Sequence, residues 1–154
     1  MKYKNIFIHC FDCFDMKIFI DTAKIEEIVE ASSWGIIDGV TTNPSLIKTA
    51  IEELKKKGQE TSMKDYLMRI LNLAGTKRPV SLEVISTDEE SMFREARLLY
   101  DEYNRFAGNV VVKIPVNSAL NEHDSNYQGL KVIKRLSKLN IPVNSTLIMN
   151  PEQA

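Results

Sequence analysis

Apolar residues gather in five short runs along the chain, and each run ends on polar positions: Lys17–Asp21, Gly39–Asn43, Val80–Glu83, Val110–Lys113 and Val143–Thr146. Between the runs, apolar residues step by three and four, the spacing of one helical face. The pattern predicts strands over about 17–21, 38–42, 79–85, 109–114 and 142–148. A helix near 23–33 carries Ile25, Ile28 and Val29 as its stripe. Asn43 followed by Pro44 reads as an N-cap with proline at the first helical position, and the helix behind it turns Ile47, Ala50, Ile51 and Leu54 inward. Ser62 with Asp65 is a capping box with a shorter acid, ahead of Leu67, Ile70, Leu71 and Ala74. Thr87 and Glu90 are expected to open a long helix through Met92, Ala96, Leu99, Tyr103 and Phe106. After a polar loop from Asn117 to Asn126, Leu130, Ile133 and Leu136 mark another helix, and Asn150 with Pro151 looks like the start of one more.

Strand and helix therefore alternate, which predicts an α/β fold with a parallel sheet covered by helices. An open doubly wound sheet usually has a glycine-rich first βα turn; here that turn is Asp21, Thr22, Ala23 and Lys24. Polar residues at the C-terminal ends of several strands favour a (β/α)8 TIM barrel instead, of which this chain supplies about five βα units. The open sheet stays as the alternative. Residues 16–154 form the expected body, and residues 1–15 an N-terminal extension, poorly ordered or a short cap over the barrel floor.

Composition narrows the partners. With 154 residues, a net charge of −1, 44% hydrophobic and 27% charged residues, the chain fits one globular domain and carries no signal for nucleic acid or an anionic membrane. Its apolar runs fall far short of the ~18 residues a membrane span requires, and the leader lacks a signal peptide's apolar stretch. Cys10 and Cys13 form a lone CxxC, a weak metal or redox signal, and no other cysteine follows. A cysteine-free body suits a reducing compartment, so the expected location is cytoplasmic. His9 and His123 lie far apart and read as solvated, Trp34 reads as packing, and no metal or organic cofactor is expected.

The chemistry gathers on Lys113, which follows three valines and precedes Ile114 and Pro115. A lysine in so apolar a strand either bridges neighbouring strands through Glu83 or Asp21, or serves as a nucleophile toward a carbonyl. On spacing alone both readings stand. Attack requires the neutral amine, which favours Glu83 held off across a water that relays protons. Asp21 offers a second acid/base group, or a cap for the first helix. Alternation puts Thr41 with Asn43, Ser81 with Glu83, and Asn144 with Thr146 on shared faces. Asn43, Thr42 and Ser45 also suit helix capping, whereas Asn144 and Thr146 are polar groups inside an apolar strand that need partners, as a polyol would supply.

These stretches, Phe19–Ala23 (FIDTA), Asp38–Ser45 (DGVTTNPS), Ser81–Val84 (SLEV), Val111–Pro115 (VVKIP) and Ile141–Leu147 (IPVNSTL), closely resemble the transaldolase family in the short form shared with fructose-6-phosphate aldolases. The resemblance implies a transaldolase of the pentose phosphate pathway, moving a dihydroxyacetone unit from a ketose phosphate to an aldose phosphate without a cofactor. It implies Lys113 as the Schiff-base lysine, Asp21 as the acid/base at the C4 hydroxyl and Glu83 as the residue that activates the catalytic water. It implies Asn43, Thr42, Asn144 and Thr146 as substrate-binding residues, sugar phosphates as partners, and a homo-oligomer for the full-length family. Fructose-6-phosphate aldolases commonly have Gln where this chain has Glu83, which leans toward transaldolase. A simple aldolase and a non-catalytic half-barrel module are the alternatives. The family's phosphate-binding serine and arginine have no matching positions before Ala154, so the chain is expected to be C-terminally truncated, and inactive and poorly folded alone.

Overall fold

The computed structural model describes residues 17–117, 127–149 and 151. The expected extension over residues 1–15, the CxxC, both histidines, most of the polar loop after Asn117 and the helix expected at Asn150 lie outside the described residues. The described elements run β1 (Phe19–Asp21), α1 (Ile25–Ser33), β2 (Gly39–Thr41), α2 (Pro44–Lys56), α3 (Met63–Ala74), β3 (Val80–Glu83), α4 (Glu89–Ala107), β4 (Val110–Pro115), α5 (Gln128–Ser137) and β5 (Val143–Thr146).

The starts of α2, α3 and α4 follow the polar residues placed to satisfy their free N–H groups. Asn43 Oδ1 accepts from Leu46 N at 2.9 Å, with Pro44 opening α2. Ser62 Oγ accepts from Asp65 N, the first half of the expected box, and its hydroxyl donates to Asp65 Oδ2. In α4 the cap is Asp88, not Thr87: Asp88 Oδ1 accepts from Ser91 N at 2.9 Å. A carboxylate there meets the positive helix end, with Glu89 and Glu90 in the first turn beside it. α4 stops at Gly108, whose φ of 66° is the left-handed conformation that ends helices.

All five strands are parallel and lie in sequence order, β1-β2-β3-β4-β5, as a curled half-barrel. One face of the sheet is dry: Val40, Thr42, Val80, Leu82, Val110, Val112 and Ile114 alternate along their strands and are buried beneath the helices. Two clusters fill that layer, one around Ile28, Tyr66, Ile70 and Leu71 under α1 to α4, the other around Met92, Val132 and Leu136 under α4 and α5. Each such side chain removed from water is worth about 1.5–3 kcal/mol. On the opposite face Phe19 and Asp21 are exposed and Thr41 and Glu83 only partly covered. A doubly wound sheet buries both faces and reverses its strand order, so the open-sheet alternative is set aside.

Two contacts show the curl. Lys113 Nζ on β4 donates to Thr42 O beside β2 at 3.3 Å, and Asn144 Nδ2 on β5 donates to Ser81 Oγ on β3 at 3.0 Å. In each case a whole strand lies between the partners. Strands two places apart sit about 9–10 Å from each other in a flat sheet, so these side chains meet because the face is concave. Trp34, read from the sequence as packing, sits at the C-cap of α1 and is 60% exposed.

Candidate active site

Parallel register sets the polar residues in rows. Glu83 pairs with Lys113 and Lys113 with Asn144, so an acid, an amine and an amide stand side by side on the concave face. One row below, Asp21 pairs with Thr41 and Thr41 with Ser81. One row above, Thr146 pairs with Pro115. Side chains two apart share a face, which brings Asn43 up beside the Glu83 row.

Lys113 is 9% exposed at the centre of this surface. Its Nζ lies 3.4 Å from Glu83 Oε2 and 3.3 Å from Thr42 O. The contact with Glu83 is longer than the roughly 2.7–3.2 Å of a good N–H···O bond, yet direct. The expectation that Glu83 stands off across a water therefore gives way to an acid in touch with the amine. Above the pair opens a cavity of about 460 Å³, lined among others by Asn43, Ser45, Glu83, Lys113, Thr146 and Leu147. An amine beside a carboxylate, facing an open cleft with amide and hydroxyl groups, can condense with a carbonyl and have its protons moved by the acid. Among the described residues, no group of three or more His, Cys, Asp or Glu is placed to hold a metal ion, and no helix is long and apolar enough to cross a membrane.

A profile of the family described as Transaldolase/Fructose-6-phosphate aldolase matches residues 18–154. This chain belongs to the transaldolase/fructose-6-phosphate aldolase family. It is 43% identical over 139 residues to a probable transaldolase of Aquifex aeolicus, covering 90% of this chain and 53% of that relative. A probable transaldolase of Thermoplasma acidophilum gives the same figures, and one of Petrotoga mobilis is 42% identical over 142 residues, covering 90% and 52%. The chain spans about half the length of the curated relatives it matches. Five strands in sequence order thus form an arc of this family's TIM barrel.

Within this family member, the structure groups Lys113, Glu83, Asn43 and Thr146 around the cavity, with Asn144 in the same row and bound to Ser81. Asn43 serves two ends at once: its carbonyl caps α2 while its amide N–H groups remain for the cleft. Asp21 stands one row lower and is exposed; it caps no helix, since α1 starts at Lys24 with no side-chain cap. Thr42 is displaced from the role expected of it. Its side chain points to the helix layer, fully buried, and its hydroxyl donates to Ser81 O at 2.9 Å. Only its carbonyl reaches the lysine. Thr41, its neighbour, is the hydroxyl on the concave face, between Asp21 and Ser81. The signal for Thr41 was its shared parity with Asn43.

Proposed function

We propose that this chain carries the Schiff-base site of a transaldolase. Lys113 Nζ adds to the C2 carbonyl of a ketose phosphate, such as sedoheptulose-7-phosphate or fructose-6-phosphate, and water leaves as the imine forms. Asp21 takes the C4 hydroxyl proton, the C3–C4 bond breaks, and its electron pair passes into the iminium to give an enamine while the aldose phosphate departs. The enamine carbon then attacks the aldehyde of an acceptor aldose phosphate, and water returns to free the ketose. Glu83 manages the protons of that water, Asn43, Asn144 and Thr146 hold the dihydroxyacetone hydroxyls, and Thr41 adds a hydroxyl below them. Thr42 enters through its carbonyl, which steers the lysine. The imine itself is the electron sink of the carbon–carbon step.

The observation that carries this reading is Lys113: nearly buried, in contact with Glu83, and open to a cleft on the concave face. Transfer is favoured over release of free dihydroxyacetone by the carboxylate at Glu83 and by relatives named probable transaldolases. Borohydride trapping with fructose-6-phosphate on a chain extended by the family's C-terminal strands, followed by peptide mapping, tests it. The label is expected on Lys113, lost in Lys113→Ala and kept in Lys17→Ala. Label on another lysine would overturn the assignment.

A further inference from the structure

Strand β3 ends early for a reason that lies in α4. Ile85 N and Ser86 N, the donors that would continue β3 toward 85, turn instead to one carboxylate: Glu95 Oε1 accepts from Ile85 at 2.9 Å and Glu95 Oε2 from Ser86 at 2.8 Å. The bonded segment begins two residues beyond Glu83 and includes Ile85, whose 72% exposed side chain lines the cleft.

We propose that Glu95 is a positioning residue for Glu83, holding the chain that leaves β3 so that the Glu83 carboxylate stays against Lys113. This rests on the reading of Lys113 as the imine-forming lysine. Glu95 suits the task because its own helix cannot follow the loop. Met92 and Ala96, on either side of it, are fully buried, Arg135 of α5 bonds both Glu89 and Glu90, and Gln128 Oε1 accepts from Glu89 N at 2.6 Å. A carboxylate on that anchored helix, gripping two successive N–H groups with both oxygens, fixes the direction in which the strand end leaves the sheet. Charge-assisted bonds of this kind are roughly twice as strong as neutral ones. Misplacing a reacting group by about 1 Å can cost on the order of a hundredfold in rate. The remaining chain between Glu83 and α4 is too short to correct such an error.

The test uses the chain completed with the family's C-terminal strands and compares it, otherwise unaltered, with Glu95→Gln, Glu95→Ala and, as a control on the same helix, Glu102→Gln, which removes the exposed contact with Lys64. Three quantities are read: amide hydrogen exchange at Ile85 and Ser86, borohydride trapping of dihydroxyacetone on Lys113, and deuterium wash-in to the carbon-bound protons of dihydroxyacetone in D2O, which follows enamine formation. In Glu95→Gln the amides are expected to exchange about tenfold faster, Lys113 labelling to stay within about twofold, and wash-in to fall about ten- to a hundredfold. Should Glu95→Ala not fold, the near-isosteric Gln variant decides. Labelling that persists with unchanged wash-in would overturn the proposal, as would an equal fall in Glu102→Gln. A completed, otherwise unaltered chain that takes no label on Lys113 would overturn the imine reading itself and this inference with it, an outcome separate from both of those.

Discussion

Glu83 and Lys113 face each other across one rung of the β3–β4 ladder, and the chemistry proposed for the pair depends on an acid that can give and take a proton. Glu83→Gln keeps the volume and the acceptor but removes that ability. In the completed enzyme it is expected to lower transfer by about 10²–10⁴, the range for general acid–base groups, while Lys113 still takes the borohydride label. Unchanged turnover would reduce Glu83 to a structural neighbour of the lysine. Away from the site, Tyr66 ties α3 to the turn after β1 that carries Asp21: its hydroxyl, in the core, donates to Ala23 O at 2.7 Å. Burial pushes the Tyr66 phenol above its ordinary value of 10. A raised folded-state value means its contribution is whole below about pH 10 and is lost as the pH climbs through the folded value. Tyr66→Phe is expected to cost about 1 kcal/mol at pH 7, the worth of one buried hydrogen bond, and to flatten the alkaline loss of stability. Urea unfolding of the completed chain between pH 7 and 11 measures both, with Tyr103, also raised by burial, and Lys64, raised by its bond to Glu102, keeping part of the slope.

Elements meet most closely where α5 begins. A methyl group on Gly129 would lie 1.9 Å from Pro115 O and 2.6 Å from Val116 O, main-chain atoms that cannot swing aside. Gly129→Ala is therefore expected to destabilise by about 3 kcal/mol, the upper end for overpacking, and to loosen the end of β4 two residues beyond Lys113. Thermal unfolding of the completed chain reads the first effect; a Tm within a degree or two of its unaltered form would show that α5 can shift. At the head of α4, the Ser91 N–H holds the Asp88 carboxyl below the usual carboxylate range. That sign makes the cap's contribution full above about pH 4 and lost as the pH falls through the lower folded value, so in the completed chain Asp88→Ala should lower the Tm at pH 7 and lower it progressively less as the pH falls through that value. Much of this architecture was legible in the sequence, because period-two and period-four patterns report which face is dry and Asn43 and Ser62 announce their own helices. What could not be read depended on partners far along the chain. β3 was expected to reach 85 and stops at Glu83, since Glu95 captures the next donors. β5 was expected to reach 148 and stops at Thr146, since Leu147 adopts a φ of 58°. Thr42 and Thr41 differ by one position in a Thr-Thr pair, and in a strand one position changes the face. The contacts from Asn144 to Ser81 and from Lys113 to Thr42 cross a whole strand, and curvature is not written in any local pattern.

At the scale of the whole molecule, the described sheet has two edges. β1 pairs only with β2 and β5 only with β4, leaving rows of N–H and C=O groups on the outer sides of both. The concave face between them carries the polar site in its upper rows and Phe19 in its floor, 39% exposed, with its ring over Gly39. At the rim, Ile148 and Met149 are exposed as well. Parallel barrels remove such edges by closing the sheet on itself, and the curated relatives are about twice as long as the part of them this chain matches. An open arc with apolar residues on its inner face has a strong tendency to pair with whatever strand or copy it meets. The 154-residue chain by itself is therefore expected to associate: gel filtration should give an apparent mass that rises with protein concentration in the micromolar range, and thermal unfolding should be broad. A charge set into the exposed edge tests the cause, because Phe19→Lys places a solvated ammonium where a second sheet would dock. That variant should shift the chain toward monomer without changing its helix content. A monodisperse, sharply unfolding monomer from the unaltered chain would show that the concave face and both edges are content in water, and the closure argument would then fail.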